Sequence, residues 1–385
     1  MRTTPLVDWG RNPFEPAGCA PPTLIAADRA AGLRGPLRQL CPGRPGVYGM
    51  LDQNGQLIYV GKAKDLRKRL LGYFRKGRDR RTRRIIRQAR AIAFEPCSSE
   101  FAALHRELDL IRRWRPRWNV QGQPLRRLFA FVCLGRAPAP YLFLSRKPAA
   151  RSLGCFGPVP LGRRVRDAVR RVNDLFRLRD CPQTLEMIFA EQKQLFHLEL
   201  SAGCPRHDLG TCLGPCFAAC TRDDYSTKVR SAQGFLTGTD RSALAAIEQA
   251  MRRAAVAQEY ELAASYRDRL ASLGWLVEKL DHVRDLRARE SYIYPAPDGR
   301  GRATWYLIHG GRTAAAIAAP RDAGSALAAA DLITATYRQP LSDHILELYE
   351  HWDGMCLVRS WFRRHPDERK KVLTSDEALR QCEQW

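Results

Sequence analysis

Residues Pro45 to Tyr73 read PGVYGMLDQNGQLIYVGKAKDLRKRLLGY, and the fold is decided there. Val47 to Asp52 and Leu57 to Val60 have strand character and are separated by Asn54-Gly55, a strong signal for a two-residue hairpin turn. With that turn Gln53 faces Gln56 and Tyr59 stands opposite Met50, so Tyr48 shares a face with Tyr59, because strand side chains alternate with a period of two. Beyond Gly61, the run Asp65 to Phe74 predicts a helix with Asp65 as its N-cap, Leu66 and Leu70 on the packing stripe, and Arg69 and Tyr73 on another. Lys62 lies in the turn between strand and helix. Phenols, a lysine and an arginine thus converge on one surface.

Such a surface suits work on a phosphodiester, where cations offset charge developing on phosphorus oxygens and a phenol relays a proton. The charge distribution points the same way. The 385-residue chain carries a net charge of +24, and between Gly61 and Arg90 fourteen Lys and Arg face only Asp65 and Asp79. Half of the excess therefore lies beside the candidate site, as a nucleic-acid footprint rather than a solvated basic helix. Lys64, Arg67, Lys68, Arg75, Lys76, Arg80, Arg81 and Arg84 are the candidate DNA contacts. From Asp281 onward fifteen basic residues balance fifteen acidic ones, which argues against a second DNA platform. Met1 to Arg44 contains no signal-peptide core and no stretch approaches a membrane span, so a cytoplasmic location is expected.

Downstream, Leu33 to Leu40 and Arg78 to Arg90 predict helices and Ile92 to Glu95 a strand. Ser98-Ser99 then caps a helix whose apolar stripe is Phe101, Leu104, Leu108 and Ile111. Glu107 stands on the margin of that stripe, a half-buried carboxylate with Arg106 and Arg112 poorly spaced to pair with it.

The phrases GVY, IYVG and GKAKDLRKRL resemble the GIY-YIG nuclease domain in the form found in the UvrC family, the excinuclease component of nucleotide excision repair, over about residues 35 to 120. In that family a helix glutamate twelve residues before an asparagine holds a single divalent metal, and Glu107 stands twelve before Asn119. The resemblance implies Glu107 as ligand to Mg²⁺ or Mn²⁺, Tyr48 as first choice for activating water, Arg69 as stabiliser of the transition state, and Tyr59, Lys62, Tyr73 and Asn119 as further members of the site. For Tyr48 to act as a base near neutrality, Lys62 and the metal have to lower its pKa by roughly two to three pH units.

After Val120 the match fades, and Gln121 to Arg127 replaces the acidic, tyrosine-containing phrase usual in the family. Strand-like runs follow at Leu128 to Leu134 and Tyr141 to Leu144, then CFGPVP (Cys155 to Pro160) and a helix from Arg163 to Leu175. Twelve cysteines without an export signal favour thiols or a metal centre over disulfides. Cys181, Cys204, Cys212 and Cys216 resemble the four-cysteine region of UvrC, which implies a [4Fe-4S] cluster, with tetrahedral zinc as the alternative and Cys220 as substitute ligand. Cys19, Cys41, Cys97, Cys133, Cys155, Cys356 and Cys382 read as ordinary small apolar residues.

Asp223 to Leu280 is helical with a break at Gly238-Thr239-Asp240, and Leu244 to Gln258 with Glu261 to Leu280 predicts a helical hairpin. Met251 to Leu273 resembles the UVR motif, which implies docking to UvrB, the partner excinuclease component of the same repair system. Strands at Ser291 to Tyr294 and Thr304 to His309 and a helix from Ser325 to Arg338 follow, without the acidic cluster of the family's RNase H-like nuclease. The expectation is a mixed α/β (α+β) multidomain protein: lead-in 1–34, GIY-YIG domain 35–122, middle domain with cysteine cluster 123–222, helical region 223–280, and a small α/β part 281–385. Its implied function is a single, 3′-side incision in damaged double-stranded DNA. A stand-alone GIY-YIG endonuclease and a non-catalytic DNA- or partner-binding module are the alternatives.

Overall fold

A computed structural model describes residues 9–16, 21–75, 77, 79–119, 129–195, 203–298, 301–341 and 345–385. The chain forms two compact units: Met1–Leu125 with Arg287–Ser342 and His351–Trp385, and Arg126–Leu286 with Asp343–Glu350.

The first unit opens with β1 (Thr23–Ala26), a 3-10 turn (Ala30–Leu33), α1 (Arg34–Leu40), β2 (Gly46–Leu51), β3 (Leu57–Ala63), α2 (Leu66–Gly72), α3 (Arg80–Gln88), β4 (Ala91–Pro96) and α4 (Glu100–Trp114). The four strands form an antiparallel sheet in the order β1-β4-β2-β3. Both faces are covered. Val47, Leu51, Val60, Ala91 and Ala93 face one core, shared with α4, while Tyr48, Met50, Ile92 and Phe94 face the other, shared with α1, α2 and α3. The caps are those the sequence predicts: Asp65 accepts from the Lys68 amide and Ser99 from the Ala102 amide.

The hairpin departs from expectation at its turn, where the register is shifted by one residue, and rejoins the expected register at Met50. Asp52 takes over, accepting the amides of Asn54 and Gln56 on its carboxylate, and Leu51 pairs with Leu57. A bulge then puts Ile58 and Tyr59 on the same face and restores Met50 opposite Tyr59, the predicted pairing. The stretch expected as a lead-in contributes an edge strand, β1, and the fully buried Trp9.

The second unit holds β5 (Phe129–Leu134), β6 (Leu142–Ser145) and β7 (Gly154–Pro160), antiparallel in the order β6-β5-β7. It continues with α5 (Arg163–Leu175), α6 (Ala190–Leu195), α7 (Pro205–Asp208), α8 (Arg222–Thr237), α9 (Ser242–Val256) and α10 (Tyr260–Arg289). Its core joins Val132 and Leu142 of the sheet to Val165, Val169 and Val172 of α5, Val229 and Phe235 of α8, and Leu276 and Leu280 of α10. The predicted break falls at Gly238, whose φ of 87° closes α8 in the left-handed region that glycine enters freely.

The chain then returns to the first unit as β8 (Tyr292–Pro297), β9 (Ala303–His309), β10 (Arg312–Ala318), α11 (Ala323–Arg338), α12 (Ile345–Arg364, from His351 onward), α13 (Pro366–Arg369) and α14 (Ser375–Cys382). The strands are ordered β10-β9-β8. Tyr294, Tyr306 and Trp361 surround the Phe101 ring of α4 at centroid distances of 5.1, 4.9 and 5.5 Å. Asp353, only 2% exposed, pairs with Arg112 of α4 at 3.0 Å. Chain before residue 34 and chain after Leu286 therefore pack in one unit with the β1–β4 sheet, while the chain from Arg126 to Leu286 builds the other.

Candidate active site

The site is built on β2, β3 and α2. Tyr48 is fully buried, and its Oη lies 2.8 Å from Tyr73 Oη while accepting the Nε–H of Arg69 at 3.2 Å. The Tyr59 ring is 6.1 Å from that of Tyr48, and the Arg69 guanidinium stands 5.4 Å from the centre of the Tyr73 ring. The alternation along β2 and the four-residue spacing along α2 account for this convergence. Gly61 makes room for it, since a Cβ there would meet Tyr48 Oη at 2.6 Å.

Burial dominates the phenol electrostatics. It holds Tyr48 well above the usual phenol range, with Tyr73 and Tyr59 adding and Arg69 opposing. Burial likewise pushes Tyr73 up to about 12. The expected lowering of Tyr48 by Lys62 is thus corrected: the cation touching this phenol is Arg69.

Glu107, on the margin of α4, accepts the backbone N–H of Lys62 at 3.1 Å. Burial raises its carboxyl to about 7, against the charge and N–H of Lys62 and the charge of Arg69. Arg69 is therefore the shared neighbour, hydrogen-bonded to Tyr48 and electrostatically coupled to Glu107. A half-buried carboxylate whose ionisation is opposed by burial gains from a hard cation, so its chemistry fits a divalent metal. The ammonium of Lys62 goes instead to Glu100 at 2.7 Å, and Lys64 joins at 3.0 Å. Glu100 was not singled out by the sequence reading. The signal was there: it lies one residue after the Ser99 cap and two turns before Glu107, on the same side of α4.

Asn119 is buried and its amide is spent on β3. It accepts the Val60 N–H at 2.8 Å and donates to the Val60 carbonyl at 2.7 Å, completing the outer edge of β3 as a strand would. Arg106 is fully buried, held by Glu95, Asp109 and the carbonyls of Trp9 and Gly10.

Residues 44–120 match the UvrC-like GIY-YIG domain, residues 129–235 the UvrC/Cho excinuclease middle domain, and residues 241–274 the UvrB/uvrC motif. The chain belongs to the UvrC family. UvrABC system protein C of Idiomarina loihiensis is 33% identical over 233 residues, 60% of this chain and 36% of that protein. The corresponding protein of Chelativorans sp. is 33% identical over 275 residues, 71% of this chain and 38% of that protein. The chain thus spans well under half the length of these UvrC relatives. The magnesium-bound GIY-YIG N-terminal endonuclease domain of Thermotoga maritima UvrC is 34% identical, with 22% of this chain and 98% of that domain covered and a TM-score of 0.21.

Within this UvrC framework the basic tract divides. Arg67 donates to the Cys41 carbonyl, Arg81 to the Trp118 carbonyl, and Lys64 is tied to Glu100, whereas Lys68, Arg75, Arg80 and Arg84 are exposed. Lys76 lies outside the described residues, as do Cys19 and Gln121 to Arg127.

In the UvrC middle domain, burial raises the thiols of Cys212 and Cys216, and the nearby Cys204 and Cys181 oppose their ionisation further. Burial pushes Cys220 up to about 12. Arg179 donates to Cys181 Sγ at 3.3 Å and the Gly214 N–H to Cys212 Sγ at 3.4 Å. Among the described residues no group of three or more His, Cys, Asp or Glu is gathered in a metal-binding arrangement. The hairpin of α9 and α10 is present, with Val256 87% and Tyr260 69% exposed at its tip. No described helix is long and apolar enough to cross a membrane.

Proposed function

We propose that this chain is a divalent-metal-dependent DNA endonuclease of nucleotide excision repair that cuts one phosphodiester, on the 3′ side of a lesion. The observation that carries the reading is Arg69, bonded to the buried Tyr48–Tyr73 pair and coupled to the carboxylate of Glu107. Glu107 would hold Mg²⁺ or Mn²⁺, which supplies charge stabilisation at the scissile phosphate. Arg69 offers its remaining donors to a phosphoryl oxygen and steadies charge on Tyr48. Tyr48 Oη, sharing a proton with Tyr73 Oη, is the atom that takes a proton from the attacking water. Since burial keeps that phenol protonated at neutral pH, Tyr48 serves as a base only after its proton has moved to Tyr73 Oη as Tyr73 gives its own proton to solvent, and the Nε–H bond of Arg69 stabilises the Tyr48 phenolate that results. Lys68, Arg75, Arg80 and Arg84 supply sequence-independent affinity.

The exposed apolar tip of the α9–α10 hairpin is the surface we assign to docking of UvrB, which would choose the lesion. Cys181, Cys204, Cys212 and Cys216 would hold a [4Fe-4S] cluster, or zinc as the alternative, only by drawing closer together, because in this structure they are not gathered around one metal position. Protein purified without oxygen should then be brown and contain iron and sulfide. Colourless protein with stoichiometric zinc selects the alternative, and well-folded protein with neither metal removes the site.

The deciding experiment uses an end-labelled duplex with one bulky adduct, incubated with this chain, UvrB and Mg²⁺. A single product cut 3′ of the adduct supports the function. Paired cuts releasing an oligonucleotide, or no cut at all, overturn it.

A further inference from the structure

Two cysteines that read as ordinary apolar residues face each other across the sheet of the second unit. Cys133 on β5 and Cys155 on β7 are register partners, and their Sγ atoms lie 2.7 Å apart. Directly opposed residues of an antiparallel pair have Cα separations inside the range a disulfide spans, so a bond between them needs no rearrangement of the backbone.

The surroundings make the two sulfurs unequal. Cys133 is fully buried, whereas Cys155 is partly exposed. Cys155 Sγ receives the Ala149 N–H at 3.4 Å and lies 3.1 Å from the Ser152 hydroxyl. That hydroxyl donates to the Ala149 carbonyl at 2.7 Å and can turn its proton to the sulfur instead. With the Cys133 thiol as a further donor, the thiol of Cys155 is lowered, chiefly by the Cys133 hydrogen bond, while the hydrogen bond to Cys155 and burial drive Cys133 upward. An accessible sulfur favoured as thiolate beside a sheltered thiol is the arrangement of an attacking and a resolving cysteine.

We propose that Cys155 and Cys133 form a peroxide-reactive dithiol, with Cys155 attacking and Cys133 resolving. The Cys155 thiolate attacks one oxygen of hydrogen peroxide; the S–O bond forms, the O–O bond breaks and hydroxide leaves, giving a sulfenic acid. Cys133 Sγ then attacks that sulfur, its proton passing to the departing hydroxyl, so that the S–S bond forms, the S–O bond breaks and water leaves. Two thiols lose two electrons, one peroxide gains them, and two waters result. A small dithiol reductant reverses the step by exchange.

The test treats the reduced full chain with graded hydrogen peroxide, blocks remaining thiols with N-ethylmaleimide and maps peptides by mass spectrometry. A Cys133–Cys155 crosslink should appear at lower peroxide than any modification of Cys97 or Cys382, and dithiothreitol should reverse it. Ser152→Ala should slow crosslinking several-fold. Cys133→Ser should leave Cys155 trappable by dimedone as sulfenic acid. A wild-type chain in which Cys155 is alkylated as freely after peroxide as before, or oxidises no faster than Cys97, overturns the proposal even if a serine variant fails to fold.

Discussion

Glu100 holds the Lys62 ammonium at 2.7 Å, while the backbone N–H of the same lysine goes to Glu107 at 3.1 Å. Two carboxylates of α4 thus divide one lysine between them, the ammonium hydrogen-bonded to Glu100 while its charge still acts on Glu107 from a distance. Glu100→Gln frees that ammonium to turn toward Glu107, where it competes with a divalent cation. The Mg²⁺ concentration for half-maximal nicking should rise by roughly tenfold, the scale seen when a supporting partner of a metal ligand is lost. An unchanged Mg²⁺ titration would show that the Lys62–Glu100 pair is only a surface contact.

Glu107 itself is the sharper probe. Glu107→Gln and Glu107→Ala should abolish Mg²⁺-dependent nicking while DNA binding, which we assign to the exposed cations Lys68, Arg75, Arg80 and Arg84, stays near the wild-type value at fixed salt. Gel-shift and nicking assays on the same preparations separate the two. Wild-type nicking by either variant contradicts the metal assignment.

Much of this site is legible in the sequence because it is local. Tyr48, Tyr59, Arg69 and Tyr73 lie within twenty-six residues, and strand alternation plus helical spacing place them together. Even the replaced turn leaves the reading intact, since the bulge at Ile58 returns Tyr59 to Met50. What was not legible depends on distant chain. Burial of Tyr48, which sets its proton affinity, comes from whole-sheet packing, and the aromatic cluster around Phe101 joins residues nearly two hundred or more positions apart. No local pattern reports such contacts. The Cys133–Cys155 pairing is of the same kind, because two strand-borne cysteines twenty-two apart meet only if the register is known.

Gly61→Ala should damage the site without touching a charged group. Its Cβ would stand 2.6 Å from Tyr48 Oη, 2.7 Å from Tyr48 Cζ and 3.0 Å from Tyr59 Cε1, all atoms of packed rings that cannot swing aside. Overpacking of this sort costs ~1–3 kcal/mol. Displacing the phenol by about 1 Å should lower the nicking rate by roughly a hundredfold. Denaturant melts and single-turnover nicking, run together, check both; a rate equal to wild type would mean that Tyr48 takes no part in the reaction.

The phenol pair also predicts an alkaline instability. Tyr73 is pushed to about 12 in the folded protein, chiefly by burial, whereas a free phenol titrates near 10. The folded state thus disfavours the ionised form: stability present below about pH 10 is lost as pH rises toward 12. Tyr73→Phe removes that titration, at a cost of about 0.5–1.5 kcal/mol at pH 8 for the lost hydrogen bond to Tyr48. Urea unfolding from pH 8 to 11 should therefore show the variant losing less stability with pH than the wild type. Parallel curves would place Tyr73 in a solvated setting.

The last prediction concerns the C-terminal chain, in which the sequence offered no role. Trp361 packs edge-on against Phe101 at 5.5 Å, and Phe101 lies six residues before Glu107 on the same helix. Through that ring the β8–β10 segment and α12 fix the face of α4 opposite the site. Trp361→Ala removes a large buried side chain, at ~3–5 kcal/mol, and should lower the Tm of the first unit by roughly 10 °C. Because the second unit has its own core, the loss should appear as one early transition beside an unshifted one. Nicking at low temperature should survive, then fail at a temperature where the wild type still cuts. Trp361→Phe, which keeps an aromatic edge for Phe101, should recover most of both. If Trp361→Ala melts with the wild type and cuts over the same temperature range, the C-terminal segment is dispensable to α4.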